Sequence, residues 1–209
     1  KIIENTDVLR DQEHVPLLVD NNTQVPSRID FIIRKIGLNP MPILCSMATS
    51  LEKSGVEALA MPCNTAHAFI KEIRTKISIP FISIIDETVF WLHEIGMQKK
   101  RIGILASPAV QITKIFEREL DENNMEVEYI GEDELLLKLI HEVKANKQSQ
   151  CLTLEEIVSK CDVKKIDILL IACSEFSIIS DLVRQKFAVP VLDTLDLLAN
   201  KIIKFSREK

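Results

Sequence analysis

Short runs of β-branched and apolar residues recur along the chain with helical patterns between them, the alternation expected of parallel βαβ units. The runs predict strands near Val15 to Val19, Val56 to Met61, Ile79 to Ile84, Arg101 to Ala106, Glu126 to Ile130, Ile166 to Ala172 and Val189 to Leu192. Gly37, Gly55 and Gly96 each follow an apolar-periodic stretch, where a left-handed helix cap favours glycine. Ser107-Pro108 reads as a helix opening, with a capping hydroxyl and a proline at the first position. Thr153 and Glu156 have the spacing of a capping box, which predicts a helix running to about Ser159.

A repeat organises these elements. Sliding Val56 to Glu94 forward by 110 positions lays it on Ile166 to Lys204 without a gap. Cys63 then falls on Cys173, Arg74 on Arg184, Lys76 on Lys186, Pro80 on Pro190 and Asp86 on Asp196, and the apolar phasing agrees throughout. The expectation is an α/β fold of two pseudo-symmetric lobes, each a mostly parallel four-stranded sheet flanked by helices. Only Val15 to Val19 precedes the strand ending at Met61, so the first strand of the N-terminal lobe is expected to be missing ahead of Lys1. The polar Ile95 to Lys100 stretch is the expected seam. It divides residues 1–95, which carry Cys63, from residues 96–209, which carry Cys173, with the terminal helix packing back on the first lobe.

Composition narrows the class. The 209 residues are 46% hydrophobic and 27% charged, as in a folded globular protein and unlike a disordered one. A net charge of −5, with Lys99, Lys100 and Arg101 as the tight basic cluster, argues against a nucleic-acid partner. No apolar run reaches the ~18 residues of a membrane span, and Lys1 to Arg10 lacks a signal-peptide pattern. A cytoplasmic location with reduced thiols is the resulting expectation, since the five cysteines are odd in number and form no CxxC pair.

Cys63 and Cys173 carry the candidate chemistry. Each directly follows a strand of buried type and precedes a helix, at the sheet edge where α/β proteins bind ligands. A helix start offers free N–H groups and the positive end of a dipole, which favour a thiolate or a bound carboxylate. The plain alternative is a small core residue closing a strand, as free cysteine often is. That reading suits Cys45, which lies in a helical apolar pattern, whereas Cys151 and Cys161 flank a surface-type helix and receive no role. A phosphatase-like loop needs an arginine soon after the cysteine, but Phe69 and Ile179 stand there. His67, four residues after Cys63, leaves a cysteine hydrolase or a Cys/His metal site open, although Ser177 takes its place after Cys173 and no fourth ligand can be named. Two thiols on opposite sides of a substrate suit the inversion of a carbon stereocentre, in which one group removes a proton and the other returns one.

At these residues the chain resembles the aspartate/glutamate racemase family, in its aspartate racemase branch, which works without pyridoxal phosphate. Met61-Pro62-Cys63-Asn64-Thr65-Ala66-His67 is similar to the first cysteine motif of that branch, and Ala172-Cys173-Ser174-Glu175 to the second, which more often reads Gly-Cys-Thr-Glu. Asp11 to His14, Asp20 to Asn22 and Pro26-Ser27-Arg28 are similar to family members as well. The resemblance implies that Cys63 and Cys173 are the acid/base pair and that no cofactor or metal takes part. It implies that Asn64, Thr65, Ser174 and Glu175 hold the α-carboxylate and ammonium of an acidic amino acid. Arg28 and Lys144 would supply cations for the second carboxylate, against the alternative that both are solvated helix charges. A homodimer is also implied. The glycine-rich turn that ends the family's first strand is not found in this sequence. Two other readings stay open: a related lyase or isomerase acting on another carboxylate, and a non-catalytic relative that binds a small ligand.

Overall fold

The computed structural model describes residues 1–147 and 150–208. Six strands and eleven α-helices alternate in two parallel sheets among the described residues. The first sheet pairs β1 (Leu59–Ala60) with β2 (Phe81–Ile82), and α2 (Met41–Lys53) and α3 (Ile70–Arg74) pack on it. The second sheet has four strands: β3 (Arg101–Ala106), β4 (Glu126–Tyr129), β5 (Ile168–Ala172) and β6 (Val191–Asp193), in the order β4-β3-β5-β6. The central β5 is buried at every residue, as a parallel strand covered on both faces must be, whereas edge strand β4 alternates between exposed and half-buried positions.

Two cores sandwich the second sheet. Against one face lie α4 (Ile84–Glu94), α6 (Ile115–Glu122) and α11 (Thr194–Arg207), which contribute Ile84, Leu92, Phe116, Leu120 and Leu198. The other face is covered by α7 (Asp133–Lys144), α8 (Gln150–Lys160), α9 (Ser174–Ile178) and α10 (Ser180–Lys186), through Leu139, Leu154, Ile157, Phe176 and Val183. Complete burial of side chains such as Phe116 and Leu139 contributes about 1.5–3 kcal/mol each. A third core, around Cys45, Ala48, Leu59 and Ile73, sits beneath the first sheet, so Cys45 is a packing residue as expected.

The repeat is visible in the backbone. Leu59 pairs with Phe81 and Leu169 with Val191, a register shifted by the same 110 positions. Leu59 N–H donates to Pro80 O and Leu169 N–H to Pro190 O, both at 2.9 Å. The Arg74–Asp86 ion pair at 2.7 Å has its counterpart in Arg184–Asp196 at 3.4 Å. Helices α4 and α11, which occupy equivalent positions in the two halves, pack against each other. They join the lobes as a self-complementary face joins a two-fold dimer.

Some expectations change. Val15 to Val19 forms no strand: Pro16 has no N–H for a ladder, and Leu17, Leu18 and Val19 are 50%, 54% and 77% exposed. The first sheet accordingly has two strands among the described residues, where three were expected once the lobe's first strand is set aside. Thr153 is not a helix cap, because α8 begins at Gln150 and places Thr153 inside the helix, buried and with its hydroxyl unpartnered. Cys151 accordingly lies within α8 rather than beside it. The expected glycine caps hold at Gly55 and Gly96, with φ of 85° and 77° directly after the C-caps Ser54 and Ile95, whereas Gly37, with φ of 82°, lies four residues beyond Ile33, the C-cap of the helix Arg28–Ile32, and turns the loop instead. No described helix is long and apolar enough to cross a membrane.

Candidate functional site

Cys63 ends the segment after β1 and precedes a 3-10 helix, Thr65–Phe69. Cys173 directly follows β5 and is the N-cap of α9, with extended φ and ψ of −149° and 127°. Sheet register sets Ala106 of β3 beside Ala172 of β5, so Ser107 and Cys173 emerge side by side from adjacent strands.

Residues after Cys63 reach into this edge. Thr65 Oγ1 lies 3.0 Å from Ser107 Oγ, and Asn64 Nδ2 donates to Thr194 Oγ1 at 3.3 Å. Thr194, the first residue of α11, donates in turn to Ile171 O at 3.0 Å, two residues before Cys173. Asn64, Ser107 and Thr194 are all buried. Two short polar bridges therefore hold the Cys63 turn against the strand end that carries Cys173. Ser107 does open α5 (Pro108–Thr113), but its hydroxyl makes no cap bond and goes to Thr65 instead.

At Cys173 the sulfur donates to Glu175 Oε2 at 3.1 Å, and Ser174 Oγ donates to the same oxygen at 3.1 Å. The other carboxylate oxygen pairs with Lys144 Nζ at 3.0 Å, so the expected site residues Lys144, Ser174, Glu175 and Cys173 form one connected group. Burial, and then the Glu175 charge, push the Cys173 thiol well above its ordinary value, although the N–H groups of Glu175 and Phe176 work in the opposite direction. Burial would raise the Glu175 carboxyl too. The hydrogen bond from Cys173 and the Lys144 ammonium outweigh it and hold Glu175 below the usual carboxylate range. In this state Cys173 is a protonated acid facing an ionised carboxylate, while Cys63 is half-exposed.

Arg28 stands apart. It begins α1 (Arg28–Ile32), its Nη1 donates to Pro26 O at 3.3 Å, and it makes no ion pair with another described residue. No hydrogen bond among the described residues brings it to either cysteine. His67 is neither a dyad partner nor a free ligand: Nδ1 donates to Cys63 O at 2.9 Å, and Nε2 accepts from Ile84 N–H at 3.2 Å. With both ring nitrogens committed to backbone, the hydrolase reading of His67 loses its base. No group of three or more potential metal ligands is clustered among the described residues.

The chain matches the sequence profile of the family described as Asp/Glu/Hydantoin racemase over residues 1–202. It belongs to the Asp/Glu/hydantoin racemase family, and thus to a family of isomerases. Among curated relatives, the broad specificity amino-acid racemase RacX of Bacillus subtilis is 29% identical over 164 residues, which cover 75% of this chain and 67% of that protein. The glutamate racemase of Persephonella marina is 25% identical over 150 residues, 71% of this chain and 57% of that enzyme. Among solved structures, the aspartate racemase of Picrophilus torridus superposes with a TM-score of 0.84 at 25% identity, covering 98% of this chain and 85% of that one. The glutamate racemase of Francisella tularensis, solved with D-glutamate, shares the fold at a TM-score of 0.64 and 18% identity, over 91% of this chain and 68% of that one.

Thr194, Ser107 and Asp193 were not singled out by the sequence as parts of the site. Asp193 is buried, accepts from Ser177 Oγ at 2.8 Å and pairs with Lys1 Nζ at 3.0 Å. One signal for this layer exists in the repeat, which aligns Ser177 with His67 and Asp193 with Ser83.

Proposed function

We propose that the chain racemises an acidic amino acid, aspartate first among them, without a cofactor, by proton transfer between Cys63 and Cys173. The observation that carries this reading is the pair of inter-lobe bridges, Thr65 to Ser107 and Asn64 to Thr194, which set the Cys63 turn against the end of β5. In one direction the Cys63 thiolate takes the α-hydrogen as a proton, the C–H electron pair passes into the α-carboxylate, and Cys173 delivers its S–H proton to the opposite face. Each turnover leaves the two sulfurs with exchanged protonation, and the reverse reaction begins from that state.

Glu175 makes the exchange workable. A substrate ammonium offers Glu175 the same contact that Lys144 makes in the free protein, and a carboxylate drawn to it no longer opposes ionisation of Cys173. The N–H groups of Glu175 and Phe176 then remain to steady the thiolate. Lys144 would be left to receive the substrate's second carboxylate, which favours an acidic side chain.

Incubation with L- or D-aspartate in deuterated water tests the reading: inversion with α-deuterium incorporation is expected. C63S and C173S should each abolish inversion, a loss of at least about 100-fold. Conversion to another product points to a lyase or isomerase, and an inert protein that still binds aspartate points to a ligand-binding relative. Faster turnover of neutral amino acids than of aspartate would instead favour broad specificity, which is the activity in the name of the B. subtilis relative.

A further inference from the structure

The two cysteine turns are related by the repeat but are not built alike. After Cys173 the chain is α-helical, and Ser177 N–H donates to Cys173 O at 3.1 Å in the ordinary i+4 pattern. After Cys63 it is a 3-10 helix, in which His67 N–H donates to Asn64 O at 3.0 Å. That shift takes the i+4 backbone donor away from the Cys63 carbonyl. The His67 ring supplies the bond in its place, from Nδ1 at 2.9 Å.

The other nitrogen meets a second backbone group that needs a partner. Ile84 is the first residue of α4, where N–H groups have no intrahelical acceptor. The cap Ser83 spends its hydroxyl on Asp86 N–H at 3.2 Å, and Ile84 N–H is left to His67 Nε2 at 3.2 Å. One donor and one acceptor on the same ring define a neutral imidazole with the proton on Nδ1. Burial, first, lowers the His67 pKa to about 4, which keeps the ring neutral. The charged groups acting on it, Asp86 and Arg74, are opposite in sign and paired with each other at 2.7 Å. The ring also meets Phe81 edge to face, with 6.0 Å between centroids.

We propose that His67 is a positioning residue, whose neutral ring ties the Cys63 carbonyl to the first amide of α4 and thereby holds the Cys63 sulfur in register with Cys173. Helix α4 packs directly on α11, the helix whose first residue, Thr194, is bridged to Asn64 and to the β5 strand end. The ring therefore closes a loop of contacts from Cys63 through α4 and α11 back to the residues beside Cys173. At Cys173 no such ring is required: the backbone already completes the carbonyl, and although the Ser177 hydroxyl lies 3.3 Å from Cys173 O, its closer partner is the buried Asp193 carboxylate at 2.8 Å. The part of this inference that concerns turnover rests on the racemase reading, whereas the clamp itself does not.

The test combines three measurements on the full chain. Long-range 1H–15N correlation spectra of the wild-type protein should show His67 neutral and protonated on Nδ1 at pH 7 and still at pH 5. H67F, similar in volume and without ring nitrogens, should lose about 10- to 100-fold in kcat for aspartate with little change in KM, as expected of a displaced reacting group. It should still exchange the α-hydrogen of the enantiomer that faces Cys173, without inverting it. H67Q, whose amide offers one donor and one acceptor, should regain most of the lost rate. A ring protonated on Nε2 or charged at pH 5, an H67F variant that racemises at the wild-type rate, or equal loss in H67F and H67Q would overturn the proposal. If the wild-type protein racemises no amino acid, the racemase reading fails by itself. The clamp is then decided by the spectra and by iodoacetamide labelling, in which H67F must change the rate at Cys63 and leave Cys173 unaltered; an unchanged Cys63 rate overturns it.

Discussion

Thr65 and Ser107 place their hydroxyl oxygens 3.0 Å apart, one on the helix after Cys63 and the other at the end of β3 beside Cys173. The contact joins the two halves of the molecule at the candidate site itself, and its strength can be measured directly. T65V and S107A should each cost about 1 kcal/mol in denaturant unfolding. Because both remove the same bond, the double variant should cost clearly less than the sum, with a coupling of about 1 kcal/mol. Strict additivity would mean that the two hydroxyls do not interact in solution.

Acid stability should carry a His67 signature. The His67 pKa of about 4 in the folded protein lies below the value of 6.5 for a free imidazole, so between these values the unfolded chain takes up a proton that the native ring refuses. Stability then falls as pH drops from 6.5 to 4, by about 3 kcal/mol in total, and this contribution is flat below pH 4. H67Q cannot titrate. The gap between its unfolding free energy and that of the wild type should narrow as the pH is lowered from 7 to 4.5, and a constant gap would contradict the buried neutral ring.

Removing the Glu175 charge should make Cys173 more reactive. Burial contributes most to its raised pKa, but the carboxylate adds both a charge and an accepted hydrogen bond. E175Q deletes the charge, lowers the thiol pKa and increases the thiolate fraction at a given pH. Alkylation of Cys173 by iodoacetamide at pH 8, followed by peptide mass spectrometry, should be faster in E175Q than in the wild type. An unchanged rate would assign the shift to burial alone.

Lys144 should read the substrate side chain. Its ammonium is already neutralised by Glu175 at 3.0 Å and is largely solvated, so K144Q should cost little stability. The KM for aspartate should rise about tenfold in K144Q while turnover of alanine is unchanged. Equal effects on both substrates would remove Lys144 from side-chain recognition.

The legible part of this molecule was the part written in local pattern. The runs at β3 and β5 are long, apolar and β-branched because both faces of those strands are covered, and they stand where the pattern sets them. The pairing of Cys63 with Cys173 was legible because the repeat preserves spacing, and the 110-residue shift recurs in sheet register and in the two Arg–Asp pairs. Val15 to Val19 misled because apolar content predicts a strand without saying whether a partner edge exists beside it. Thr153 and Glu156 misled because a capping spacing also occurs inside helices, where it has no capping role. The lobe contacts left no trace in the sequence: Asn64 and Thr194 are 130 positions apart, and no periodicity marks a single hydroxyl. His67 was visible as a residue of interest, but the 3-10 turn that gives its ring a task could be seen only in the backbone.

The unequal turns at the two cysteines have a thermodynamic corollary. Mirror-image reactants have identical free energies in water, so a racemase equilibrates them to an even mixture however lopsided its own halves are. A protein that steadies one sulfur with a histidine ring and the other with plain helix can express that difference only in compensating ways: the enantiomer processed faster at saturation must be the one held less tightly.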